Sequence, residues 1–430
     1  MSRGRQAAPA QNGRQPQRGP STGAPIAALV SIVGLVLIVM GSVFVMSTFA
    51  FNSAGPGPTQ APGDTSVPTD KQLPTPPPVV ITPPPDKRPT INGTLLFSRT
   101  GNIWGASGLN LTQLSNRGTD SAPVWAPDGK TFYVIETIRK DDVQVPFKAG
   151  KYYLFITNIA QMNADGSNRN DVYKSLFSQS GGQWYTGVYQ PDVSPDGKTF
   201  ALVSDFGWIP NDSCLACFQP VELATMSTNG KNLTNLHVKD PSGLGHNDPM
   251  WSPDGKTIAF TADDRAGADG DPHISFYNVK TGALSSFNRR GYADPSWSPD
   301  GTMIAAERVG TNGRDIVILS AKSGAELARL TNDDDSFAPV WSPDGNQIAF
   351  LHRHNLGVDL EIMTLDINAG GITLVNIKPV TEDGSIDPSP PAWFIPPGDR
   401  TPLPTPPSNA VVTPAPTTGG PSFSLPSETP

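Results

Sequence analysis

The residues with the most chemical potential are acidic, phenolic or imidazole side chains in the segments that lead up to a recurring Pro. They occur in His246-Asn247-Asp248-Pro249, in Tyr292-Ala293-Asp294-Pro295 and in the run Asp333-Asp334-Asp335. Carboxylates paired across a channel are what a hydrolase or lyase acting on polysaccharide needs. Asp before Pro is equally a common turn residue whose side chain bonds to local backbone, so a structural role for Asp248 and Asp294 stands beside the functional one. His352 and His354 are two apart and share a face if that stretch is a strand. Two His alone do not make a metal site, which needs a third ligand, so no metal is expected there. Asp263-Asp264 and Asp269-Gly270-Asp271 could ligate calcium through oxygen, but they lack EF-hand spacing and read by default as a solvated loop. Cys214 and Cys217 are the two cysteines of the chain. In an oxidising compartment they fit a small local disulfide, and no βαβ context supports a redox motif.

These residues hang on a repeat. It reads PVWAPDGKTFYV at Pro123, PDVSPDGKTFALV at Pro191, PMWSPDGKTIAF at Pro249, PSWSPDGTMIAA at Pro295 and PVWSPDGNQIAF at Pro339, with a degenerate copy, PAWFIPPGDR, at Pro391. The motif aspartates Asp128, Asp196, Asp254, Asp300 and Asp344 are spaced by 68, 58, 46 and 44 residues. Periods near 40–45 residues are those of four-stranded propeller blades, and the two long intervals imply insertions in the early blades. Ser-Pro-Asp-Gly fits a type I turn, with Pro fixing φ at the second position and Gly at the fourth. Trp125, Trp251, Trp297, Trp341 and Trp393 recur just before the turn, where large rings can pack between neighbouring sheets. Alternating apolar runs such as Ile258-Ala259-Phe260 supply the strand after each turn. A single sheet of this kind cannot bury both faces, and radial closure solves that problem.

The ends of the repeat region fit the same scheme. Residues 94–114 read as strands two to four of a blade without a first strand, and the copy around Trp393 offers a first strand without successors. Joined, they make a composite blade, so the expected fold is all-β, a six-bladed propeller over residues 91–395. The Ser-Pro-Asp-Gly turns then share one face. The opposite face collects the segments leading into each first strand together with Arg139–Lys151, Phe206–Pro220 and Asp263–Pro272. Loops on a rigid scaffold usually carry recognition. The expected binding face is therefore His246, Asp248, Tyr292, Asp294 and Asp335.

The flanks set the compartment. Residues 1–24 are polar and carry Arg but no acidic residue, and residues 25–50 form an uncharged apolar run long enough to span a bilayer. Basic residues ahead of the run place the N-terminus in the cytoplasm and the rest outside. Residues 51–90 are a Pro-rich linker, extended and polyproline-like, and residues 396–430 have the same composition and read as disordered. Net charge is -8, and no basic cluster of the kind a nucleic-acid binder carries is visible.

The P-x-W-S-P-D-G-K-x-I-A-F unit resembles the propeller repeat of the TolB family. The resemblance implies a six-bladed ring whose channel or one face docks a protein or peptide partner. The small α/β domain that precedes the propeller in TolB is missing, which argues against a role in the same envelope system. The unit also resembles propellers fused to prolyl-oligopeptidase-type hydrolases, but no G-x-S-x-G elbow occurs in this sequence. The expectation is a non-catalytic, membrane-anchored binding propeller without a cofactor. The alternative is an enzyme acting on cell-envelope polysaccharide.

Overall fold

A computed structural model describes residues 88–143, 152–179, 182–206, 221–238, 245–263, 271–355 and 357–407. The apolar run at 25–50, nearly all of the linker, Cys214, Cys217 and residues 264–270 of the calcium candidate lie outside the described residues. Among the described residues, no helix is long and apolar enough to cross a membrane.

Six four-stranded antiparallel sheets account for most of the described chain. The innermost strands are Asp120–Trp125, Val188–Val193, His246–Trp251, Tyr292–Trp297, Ser336–Trp341 and Ala392–Phe394, for blades 1 to 6. Blade 6 is composite. Ala392–Phe394 pairs with Ile91–Arg99 through Thr94↔Phe394, Leu95↔Trp393 and Leu96↔Ala392, so the two ends of the repeat region close the ring. The long first interval is explained by a lengthened hairpin, Thr131–Val143 with Tyr152–Asn163, and by a two-stranded ribbon, Leu176–Gln179 with Gly182–Tyr185.

Each turn has the expected geometry. The Gly N–H donates to the carbonyl three residues back at Gly197→Ser194 (2.8 Å) and at Gly255→Ser252, Gly301→Ser298 and Gly345→Ser342 (2.9 Å each). The Ser hydroxyl donates to the Asp two residues on (2.7 Å for Ser252 to Asp254) and accepts the N–H that opens the next strand (3.0 Å from Thr257). These bonds hold Asp196 and Asp254 below the usual carboxylate range. For Asp196 the Ser194 hydroxyl is the main cause, whereas for Asp254, at about 2, Lys256 outweighs Ser252.

The Trp rings lie where neighbouring blades meet. Trp251 packs with Ala201 and Leu223 of blade 2, and Trp341 packs with Met303, Ala305 and Ile318 of blade 4. Trp125 packs with Leu96 and Ile103 of the composite blade, and its indole N–H donates to the Ala392 carbonyl (3.2 Å). Trp393 seals the seam with an N–H donated to the Asn92 carbonyl (2.9 Å). Trp297 is half-buried over Phe276.

The expected disordered tail began at residue 396. A 3-10 turn follows at Pro397–Asp399, and Leu403 and Pro404 lie over the Gly345 turn. Pro406 and Pro407 line a cleft with Trp297, Met303 and Leu327. A Pro-rich segment has no core of its own, yet its preformed extended shape can lie along an apolar surface. Residues 396–407 do so across the turn face.

Candidate functional site at the channel

The innermost strands share a break. Residues just before the motif Pro take the left-handed conformation: Ala122 (φ 46), Gln190 (φ 50), Asp248 (φ 51), Asp294 (φ 50) and Ala338 (φ 52). Pro disfavours the right-handed helical region for the residue ahead of it, and Asp tolerates the left-handed one better than most. At the same place the pairing register with the second strand slips in blades 1 to 5. This is a β-bulge, which turns a side chain and a backbone N–H out of the ladder.

The preceding blade meets each displaced N–H in four of these five cases. Ala122 N donates to Ser389 Oγ (3.3 Å), Asp248 N to Gln190 Oε1 (3.1 Å), Asp294 N to Thr261 Oγ1 (2.9 Å) and Ala338 N to Glu307 Oε1 (3.0 Å). The bulges therefore latch blade to blade around the axis. Gln190 completes its exchange by donating to Asp248 Oδ1 (2.6 Å). Below this ring the Asp192 carboxylate accepts the Trp251 N–H of the next blade (2.7 Å).

The axis is consequently acidic on one side. Asp192, Asp248 and Asp294 are half-buried there, on three consecutive blades. Burial pushes Asp192 up to about 7, against the opposing pull of the Trp251 and Val193 N–H groups. Asp248 is raised by burial and then by the Glu307 charge, with Arg314 pulling the other way. Asp294 is raised well above its ordinary value by burial, then by the Asp248 and Glu307 charges. Arg314 is the nearby cation, and it is spoken for, donating to Glu307 Oε2 (2.6 Å).

The five residues expected at the mouth separate into three groups. Asp248 and Asp294 come together at the axis. Asp335 is exposed on its loop. His246 and Tyr292 are corrections, because both are buried between blades. His246 Nδ1 accepts the Leu223 N–H (3.1 Å) and its ring meets Phe260 edge-on, while Tyr292 donates to Glu326 Oε2 (2.8 Å). Sequence reasoning missed Gln190, Asp192, Glu307 and Arg314. Gln190 aligns with Asp248 and Asp294 in the repeat. Asp192 stands where the other copies carry Val124, Met250, Ser296, Val340 and Ala392, so stacking the copies position by position exposes both.

Residues 190–394 match the family profile of the TolB beta propeller domain. The chain carries a TolB-type propeller. Among solved structures it is similar to TolB from Acinetobacter baumannii, at 20% identity and TM-score 0.49 over 71% of this chain and 68% of that one. Putative TolB from Agrobacterium tumefaciens gives 16% identity and TM-score 0.46 over 70% and 94%. An oligogalacturonate lyase from Vibrio parahaemolyticus gives 12% and 0.40 over 63% and 89%. No curated protein matches. The likenesses to solved structures are distant and concern the fold alone.

Proposed function

We propose that this propeller is a non-catalytic binding module that takes a protein or peptide segment at its channel face, outside a membrane to which residues 25–50 anchor it. One observation carries the reading: three carboxyls, Asp192, Asp248 and Asp294, sit at the axis with their ionisation opposed by burial and, for the latter two, by neighbouring negative charge. A cationic group of a peptide entering there relieves that repulsion, which an anionic one only increases. The net charge of -8 favours the same class of ligand and disfavours nucleic acid.

The enzymatic alternative rests on the closeness of Asp294 and Glu307. Glu307, however, has both oxygens engaged, one by Ala338 N and one by Arg314. A general acid or base must be able to exchange its proton with substrate, and a carboxylate held in this way serves as a latch. Binding is the better use of the site.

The test is crosslinking and affinity capture with the full chain in its own membranes, run beside an Asp248→Asn/Asp294→Asn variant. One stoichiometric partner recovered by the wild type and lost from the variant supports the reading. Identical capture by both proteins overturns it. Protease protection of the propeller in sealed cells tests its placement outside the membrane.

A further inference from the structure

Blade 5 carries a cluster that the channel does not use. Its second strand, Gln347–His354, pairs with its third, Gly357–Asn368, in the register Phe350↔Glu361, His352↔Asp359 and His354↔Gly357. Facing residues of an antiparallel pair share a side of the sheet, as do residues two apart. His352, His354, Asp359 and Glu361 therefore all project from one side of one hairpin. The imidazole centroids are 4.2 Å apart. His352 Nδ1 lies 3.2 Å from Glu361 Oε1, and His354 Nε2 lies 3.5 Å from Asp359 Oδ2 and 3.9 Å from Glu361 Oε1.

From this geometry we propose a divalent transition-metal site of the zinc class, with His352, His354 and Glu361 as its protein donors, one ligand atom of each lying within 4.8 Å of the other two, and with Asp359 flanking His354. A tetrahedral zinc ion with donors about 2.0–2.1 Å away separates those donors by about 3.4 Å. The two separations from Glu361 Oε1, 3.2 Å to His352 Nδ1 and 3.9 Å to His354 Nε2, lie on either side of that value. The His354–Glu361 contact is too long for a hydrogen bond, so the protein alone does not close it, whereas an ion between the two groups does. A set of two imidazoles and one carboxylate with a fourth position open suits zinc and its first-row neighbours.

Two further observations point the same way. Asp359 is buried, with only 8% of its side chain exposed, and it is aimed at the cluster. Its Oδ1 accepts from Thr381 Oγ1 (2.9 Å) and Gly384 N (3.0 Å), which leaves Oδ2 facing His354. Behind His352, the Asp333 carboxylate lies 3.8 Å from Nε2 and is itself held by the Ser336 hydroxyl. At that distance the carboxylate favours a cation at the cluster through its charge rather than through a hydrogen bond. An ion here ties the blade 5 hairpin to the 381–384 loop and to the Asp333–Asp335 loop of the recognition face. The site does not depend on the binding role proposed above.

The test uses the purified full chain, stripped with chelator and titrated with Zn2+ by calorimetry. The expected result is one ion per chain with roughly micromolar or tighter affinity and a higher melting temperature than in chelator. Co2+ should give the intense visible absorption of a tetrahedral site. His354→Ala, at a partly exposed position, should abolish uptake while melting like the wild type in chelator. Asp333→Asn, which removes a nearby negative charge and leaves the donors in place, should weaken binding by about a few-fold. His237→Ala, at an exposed position past the last strand of blade 2, should bind as the wild type does. Absence of stoichiometric uptake by the wild type, or unchanged uptake by His354→Ala, overturns the proposal.

Discussion

Asp192 makes the sharpest statement a single residue of this chain can make about pH. Its folded value, about 7, lies above the ordinary 3.8, so the folded state holds the proton more tightly than the unfolded chain does. The stabilisation this gives is complete below about pH 4, falls as pH rises toward 7 and is gone above it. Asp192→Asn keeps an amide oxygen for the Trp251 N–H and removes the ionisation. The variant should therefore gain on the order of 2 kcal/mol over the wild type at pH 8, a fraction of the roughly 4 kcal/mol that three pK units allow. At pH 4 the two should coincide. Thermal melts across that range check it, and parallel curves would show that Asp192 does not titrate in this window. A second residue tests the turn. Blade 1 has Ala126 where blades 2 to 5 have Ser, so Asp128 lacks the hydroxyl donor that Asp254 receives. Ala126→Ser should stabilise by about 1 kcal/mol, read as a shift in denaturant midpoint with an unchanged slope.

The hairpin is the element the sequence displays most openly, because each position of Pro-x-Trp-Ser-Pro-Asp-Gly does one mechanical job and does it repeatedly. Strand order, the shared face of the turns and the split blade all follow from it. The bulge is what the pattern hides. Period-two alternation puts His246 on the same side as Asp248, and Tyr292 on the same side as Asp294. The register slip at Asn247/Met250 and Ala293/Ser296 breaks that alternation, so the aspartates stay at the axis while His246 and Tyr292 turn into the core. The latching partners Thr261 and Glu307 are invisible for a related reason, since each serves the next blade, 33 or 31 residues away. Blade 1 holds another long-range element, Arg169, which meets Asp120 through paired contacts (2.9 and 3.0 Å) and Glu136 at 3.1 Å. Asp120 is fully buried. Arg169→Met should cost roughly 3–5 kcal/mol by leaving the buried Asp120 carboxylate uncompensated, since Glu136 keeps Arg117 at 3.0 Å, and adding Asp120→Asn should recover most of the loss. Equilibrium unfolding of both variants decides this.

For the whole molecule, the governing fact is that the ring closes across a seam rather than within one continuous stretch of chain. Three residues, Ala392–Phe394, carry the closing pairing, and Trp125 and Trp393 reinforce it with indole bonds to Ala392 and Asn92. The blade 1 turn is fitted to the same seam, because a side-chain carbon at Gly129 would overlap the Phe394 ring, whereas at Gly255 the nearest atom would be Pro195 Cδ at 3.6 Å. Both glycines have positive φ, so Ala at either position carries the same backbone penalty, about 1 kcal/mol. Any excess for Gly129→Ala measures the seam itself. Trp393→Ala should cost roughly 3–5 kcal/mol, as large aromatic truncations in cores do. The loss should be local in hydrogen exchange, with faster amides in Ile91–Arg99, in Ala392–Phe394 and in the adjoining blade 1 strand Asp120–Trp125. Blades 3 and 4 have no residue at the seam and should keep wild-type protection. Uniform acceleration in all six blades would mean instead that the ring opens as a single cooperative unit, with the seam no weaker than any other blade contact.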